Sequence, residues 1–351
     1  MKCSTVKKLA VGSFLSFGVS VAAMAAEVEF VNAFNINMNY HGAYWRSESF
    51  QVVVDNISSN KQVFVHRELE DGSWIDIPMY FDGKAGQNKE IWRVGTGMED
   101  VGSDFVIKMV AGGVEYWDNN SGQNYQLDYG YTLGNTNEVV VNNIGSTLKE
   151  DGTLDVYTTI VVDNIGYDKQ VELVYTNDDW VTSEVIAAKY AGPQPVYGYG
   201  SYPNPSASGA EAWHANFNID PSAKHKFFVK YTVNGQSYYA NNYGLDYTIN
   251  FDSTFESMHM RTGPSWDPGR PMTLIDDNLW VANFGINLNW IEEMKFDVYN
   301  DWTVNFGDDN ADGIANAGGA NIPLPVEPGS YRVYFDDSTN VYSFEGYGVL
   351  D

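Results

Sequence analysis

One segment occurs twice in this chain: Tyr116-Trp117-Asp118-Asn119-Asn120-Ser121-Gly122-Gln123-Asn124-Tyr125 returns as Tyr238-Tyr239-Ala240-Asn241-Asn242-Tyr243-Gly244-Leu245-Asp246-Tyr247. Upstream, Val53-Val54-Asp55-Asn56-Ile57 with Lys61-Gln62-Val63 reappears as Val161-Val162-Asp163-Asn164-Ile165 with Lys169-Gln170-Val171. The fold must therefore accommodate one unit built twice. The offset is 108 from Asn56 to Asn164 and 122 from Asn119 to Asn241, so the second copy carries about 14 extra residues. The Gly/Pro/Tyr-rich stretch from Gly192 to Pro203 is the expected insertion and reads as a surface loop.

Within and around the repeats, short β-branched and aromatic runs are punctuated by Gly, Asn and Asp. Phe50-Gln51-Val52-Val53-Val54, Gln62-Val63-Phe64-Val65-His66, Val171-Glu172-Leu173-Val174-Tyr175 and Lys226-Phe227-Phe228-Val229-Lys230-Tyr231 read as half-buried strands. The expected class is all-β, with three immunoglobulin-like β-sandwich modules in tandem at 27–130, 135–250 and 253–351. In this reading Phe105 and Phe227 point inward as core.

The first 25 residues read as a cleavable signal peptide. Lys2, Lys7 and Lys8 precede the apolar run Leu9–Ala22, and Ala23-Met24-Ala25 offers small residues at a cleavage point. That run is shorter than the roughly 20 residues a spanning helix needs. The expected location is periplasmic or secreted, without membrane insertion. The single cysteine, Cys3, falls in the removed part. A net charge of −26, from 46 acidic against 20 basic side chains, repels phosphate backbones and argues against a nucleic-acid partner.

Flat aromatics beside amides suit sugar rings, whose C–H faces stack and whose hydroxyls hydrogen-bond. Trp117, Tyr239, Trp74 and Trp180 are the candidates from the doubled motifs. Asn119, Asn120, Asn241 and Asn242 suit either hydroxyl recognition or a turn that bonds its own backbone. The second copy, with Val162 to Val171, Tyr175-Thr176-Asn177-Asp178-Asp179-Trp180 and Phe227-Phe228-Val229-Lys230-Tyr231 before Tyr238-Tyr239-Ala240-Asn241-Asn242, resembles the family 21 carbohydrate-binding modules. These are the starch-binding domains of fungal glucoamylases and of glycogen-targeting phosphatase subunits. The resemblance covers residues 135–250 and, more loosely, 27–130. It implies a first cluster of stacking aromatics at Trp180, Phe228 and Tyr239, and a second site at Tyr167 and Lys169 with Asn164 nearby. In the first copy Trp74 and Trp117 match the stacking positions, whereas Val106 and Ser59 replace expected aromatics, so one simpler site is expected there.

The C-terminal third does not repeat the others. It is similar to small sandwich modules of bacterial amylases and pullulanases and to domains of outer-membrane starch-binding lipoproteins. That similarity implies stacking by Trp266 and Trp302, polar partners Asn305 and Lys295, and structural roles for Trp280 and Trp290. Asp308, Asn310 and Asp312 alternate before Gly313 as in a calcium loop, but Gly319 stands where the bidentate acid belongs. A solvated turn is expected there, with structural calcium the alternative and no other cofactor.

Nothing in the sequence suggests catalysis. The five histidines lack metal-ligand spacing, and neither a phosphate loop nor a nucleophile elbow appears. The leading expectation is an exported, non-catalytic binder of starch, glycogen or a related α-glucan that gains avidity from several modules and serves a secreted amylase. An accessory or scaffold protein that binds a partner protein or a different glycan is the alternative. A phosphatase-docking role is disfavoured, because Val28-Glu29-Phe30 lacks the basic flank of the docking motif in the glycogen-targeting relatives.

Overall fold

The computed structural model describes residues 27–58, 60–97, 101–196, 200–286 and 293–347. The expected export segment, Ser59 and Trp290 lie outside the described residues. The protein is all-β: antiparallel sheets carry the described chain, and short 3-10 turns are its only helical elements.

Six sheets enclose three hydrophobic cores. In the first unit, Gly130–Leu133, Val28–Tyr40, Ala43–Asp55, Lys89–Thr96 and Tyr80–Ala85 form one sheet. Facing it are Trp74–Pro78, Lys61–Leu69, Val101–Ala111 and Val114–Asp118. Phe30, Phe50, Val52, Val54, Val65 and Phe105 fill the space between them. The second unit repeats this plan. Val139–Leu148, Leu154–Asp163, Ala210–Ile219 and Lys189–Tyr190 oppose Glu184–Ala187, Lys169–Thr176, His225–Val233 and Gln236–Ala240. Its core includes Ile160, Val162, Leu173, Phe227 and Tyr231. Even an irregularity is copied. A bulge follows Phe30, paired with Val52, and another follows Val141, paired with Ile160, so the two bulges sit 108 positions apart on the partner strand.

The third core gathers Met260, Phe284, Met294, Phe296, Val333 and Phe335 from two further sheets. Trp280 lies within it, its indole N–H donating to Asp337 at 2.8 Å. This C-terminal unit rests on the edge strand Tyr80–Ala85. Tyr334 donates to the Phe81 carbonyl at 2.8 Å, and the Arg332 guanidinium lies 3.3 Å from the centre of the Tyr80 ring.

The first two units share a fourth apolar cluster. Val31, Val53 and Tyr131 of the first meet Val140, Val161, Ala210 and Ala212 of the second. Val52 and Val54 face the inner core while Val53, between them, faces the neighbouring unit; Ile160, Val161 and Val162 behave in the same way. These strands are thus covered on both faces, which corrects the half-buried reading of Phe50–Val54. Unbroken β-branched runs are what two-sided burial demands. The insertion also differs from the expected surface loop. Gln194–Val196 pairs with Gly200–Tyr202, and Val196 and Tyr202 are buried in the shared cluster. The Tyr202 ring centre lies 5.1 Å from that of Phe34.

Val161→Asp would place an unpaired carboxylate in this dry interface at a cost of at least about 3 kcal/mol. Scanning calorimetry should show a clearly lowered first transition, with exposed Leu148→Asp close to wild type. A Val161→Asp protein that melts like the parent would mean that the two units do not pack in solution.

Candidate functional site

The sheet of the second unit that faces away from the first presents an aromatic surface. Along His225–Val233 the pattern strictly alternates, so Phe227, Val229 and Tyr231 enter the core while Lys226, Phe228 and Lys230 point outward. Phe228 is flanked by Trp180 at 5.2 Å and Tyr239 at 6.1 Å between ring centres. Trp180 sits in a tight turn at φ 70°, where its backbone N–H donates to the Thr176 hydroxyl at 3.1 Å. Its indole N–H donates to Asp246 at 3.0 Å, which fixes the ring. Burial pushes the Asp246 carboxyl above its ordinary pKa, against the lowering effect of that indole bond. Tyr239 remains 56% exposed, leaving an accessible face on a contiguous three-ring cluster.

The corresponding face of the first unit carries Trp74 and Trp117, with the ring of His66 between them. His66 stacks on Trp74 at 5.1 Å with an interplanar angle of 20° and meets Trp117 edge-on at 5.3 Å. The repeat motif hides His66, because the strand of Val106 matches that of Phe228 and offers no ring there. His66 pairs across the sheet with Val106, just as Val174 pairs with Phe228. His66 lies 108 positions before Val174 and Val106 lies 122 before Phe228, so ring and valine have exchanged strands between the copies. Both repeat offsets, applied together, would have revealed it. Asp76 holds the His66 ring through Nδ1 at 2.7 Å and also binds Lys108 at 2.7 Å. Burial acts to raise the Asp76 pKa, yet these two partners hold its carboxyl below the usual range.

Several other expected site residues make contacts within the fold. The Lys169 ammonium is buried between Asn164 at 2.5 Å and Glu211 at 2.8 Å, and in the first copy Lys61 makes the same contacts with Asn56 and Glu90. Tyr167 stands apart, 98% exposed. Asn119 and Asn241 each accept the N–H of a following glycine, Gly122 and Gly244. The Asn120 side-chain amide donates to the Asn124 carbonyl, and that of Asn242 to the Asp246 carbonyl. These four asparagines therefore shape two turns, and Asn242 is buried as well.

In the C-terminal unit Trp266 and Trp302 approach to 5.9 Å. The Arg261 guanidinium lies 4.5 Å from the centre of the Trp302 ring and donates to buried Asp297 at 2.7 Å. Asn305 donates to the Trp302 carbonyl and accepts from Lys295 at 3.2 Å. In the Asp308–Gly313 loop the Asp308 carboxylate accepts the backbone N–H groups of Asn310, Ala311 and Gly313 and the Tyr342 hydroxyl, which order the turn. Asp312 accepts the Ile314 N–H in the same way. Among the described residues no group of three His, Cys, Asp or Glu is placed to hold a metal.

With this geometry in view, residues 135–250 match the family described as "Carbohydrate/starch-binding module (family 21)". The chain is thus an all-β protein whose middle third is similar to a carbohydrate-binding module. Glucoamylase 1 of Rhizopus oryzae is 32% identical over 93 residues, covering 26% of this chain and 13% of that enzyme. Among solved structures, the starch-binding domain of that glucoamylase, in complex with β-cyclodextrin and maltoheptaose, is 29% identical over 29% of this chain and 93% of its own, with a TM-score of 0.24. The carbohydrate-binding module of the muscle glycogen-targeting subunit of protein phosphatase-1 is 22% identical over 32% of this chain and 73% of its own, with a TM-score of 0.22. The matched family is one of binding modules, not catalytic domains, and it accounts for part of the chain.

Burial acts to raise the Asp308 pKa, but Tyr342 and the three backbone donors outweigh it and hold the carboxyl below its ordinary value. Such a group contributes stability above its unfolded pKa of about 3.9, lost as pH falls through the folded value. Asp308→Asn should therefore lower the melting temperature most above about pH 4, with the deficit shrinking on acidification. A deficit unchanged down to pH 2, or a rise in wild-type melting temperature on adding calcium, would contradict this account of the loop.

Proposed function

We propose that the chain is an exported, non-catalytic binder of an α-glucan such as starch or glycogen. The observation that carries this reading is the contiguous Trp180–Phe228–Tyr239 surface lying within the stretch that matches the family 21 modules. Stacked rings contribute about 0.5–1.5 kcal/mol each beyond burial, so each surface alone binds weakly and several together supply avidity. In this reading residues 27–130 form a second module of the same kind, using Trp74, His66 and Trp117. Residues 253–351 add a third starch-binding module, and Trp266 and Trp302 mark its ligand face. The basic and apolar N-terminal segment directs export, and a secreted amylase is the enzyme such a protein would assist.

Native affinity electrophoresis of residues 26–351 through gels containing starch, glycogen, a β-glucan or no polymer tests this directly. Retardation by starch and glycogen alone is expected, and Trp180→Ala with Tyr239→Ala should weaken it at least about tenfold, given two lost stacking contacts. Equal migration in all four gels would leave the aromatics as contacts for a protein partner.

The role of His66 can be separated from that of its neighbours. With the second surface disabled by those two substitutions, His66→Ala should further weaken starch retention several-fold, while His66→Phe keeps it. Equal losses in both variants would show that the imidazole serves only to anchor Asp76.

A further inference from the structure

The order of the sheets determines which way the aromatic surfaces face. The sheet bearing Trp74, His66 and Trp117 packs through Val65 and Phe105 onto the sheet bearing Val52 and Val54. The opposite side of that second sheet packs through Val31 and Val53 onto the sheet bearing Val140 and Val161. This third sheet packs in turn, through Ile160 and Val162, onto the sheet bearing Phe228 and Tyr239. The result is a stack of four layers with an aromatic surface on the outside of each end layer. Sheets pack about 10 Å apart, so the end sheets lie about 30 Å apart and their aromatic surfaces face away from each other.

From this we infer that the protein bridges separate glucan strands rather than holding one strand at two points. The inference rests on the α-glucan reading above and specifies what the two surfaces do together. A strand stacked on Phe228 runs along its face, and nothing leads it through the two inner layers to Trp117. The buried cluster around Val53 and Val161 also prevents the two units from swinging until both surfaces point the same way. Linked sites raise the affinity for one ligand only when geometry lets that ligand engage both. Here a short oligosaccharide meets two independent sites, whereas a branched polymer is cross-linked.

Dynamic light scattering of glycogen titrated with the full chain tests the inference. The mean particle radius should rise at least about twofold near equivalence and fall again at protein excess, as each site finds its own ligand. Trp180→Ala with Tyr239→Ala, and separately Trp74→Ala with Trp117→Ala, should each still be retarded by glycogen, more weakly than wild type, yet at matched site occupancy greatly reduce the rise. Where a double variant fails to fold, Tyr239→Ala alone serves for the second unit and Trp117→Ala alone for the first. A wild-type chain retarded by glycogen that leaves particle size unchanged at every ratio overturns bridging while the glucan reading stands. One-surface variants that cross-link as strongly as wild type overturn the assignment to these two faces. Absence of retardation defeats both readings.

Discussion

The apolar contact between the first and second units governs what the rest of the molecule can present. Val31, Val53, Val140 and Val161 form a second core between two sheets that each already face one. Water is excluded from both sides of these sheets, leaving only their outer partners free to meet a ligand. The inserted hairpin belongs to the same arrangement, since Val196 and Tyr202 close one side of the seam. Two β-sandwiches that might have hung on a short linker are thereby one body.

The fold was largely legible in the sequence. Period-two alternation in Val171–Tyr175 and Lys226–Tyr231 identified strands with one wet face, and the repeat showed that the plan was used twice. The relation between the units was not legible. Val52-Val53-Val54 carries the signature of two-sided burial, but a valine does not name what lies against it, and that partner strand comes from the other copy. The insertion misled for a related reason. Gly and Pro mark a turn, yet whether the flanking Val196 and Tyr202 are wet depends in part on Phe34 and Tyr131 of the other unit, whose ring centres lie 5.1 Å and 6.1 Å from that of Tyr202.

The ligand face was legible in part. Phe228 and Tyr239 share a face because alternation places their strands' outward residues on one side, and the turn after Thr176 brings Trp180 beside them; Trp74 and Trp117 flank His66 on the matching face of the first unit. His66 is not legible from the matching of one strand to its copy, because a sheet surface is shared between facing strands and the ring sits on the partner of the strand that carries Val106. Lys169, expected from the family resemblance, carries a contact that its own stretch of sequence does not show: an ion pair with Glu211 on a distant strand.

The doubled Asn-Asn turn has a further consequence. Both copies follow the same unusual path, with positive φ at Asn120, Ser121 and Asn124 and again at Asn242, Tyr243 and Asp246. What each turn grips is different. Asn120 accepts from Asn135 in the segment leading to the second unit, while Asn242 reaches back to the Lys84 carbonyl of the first and receives the Gly86 N–H at 2.9 Å. The fit at Gly86 is so close that a β-carbon there would lie 2.1 Å from the Tyr243 carbonyl oxygen. The repeated turn is thus a coupling built into the unit itself, and the first copy uses it to hold the segment that follows while the second uses it to hold the unit that precedes.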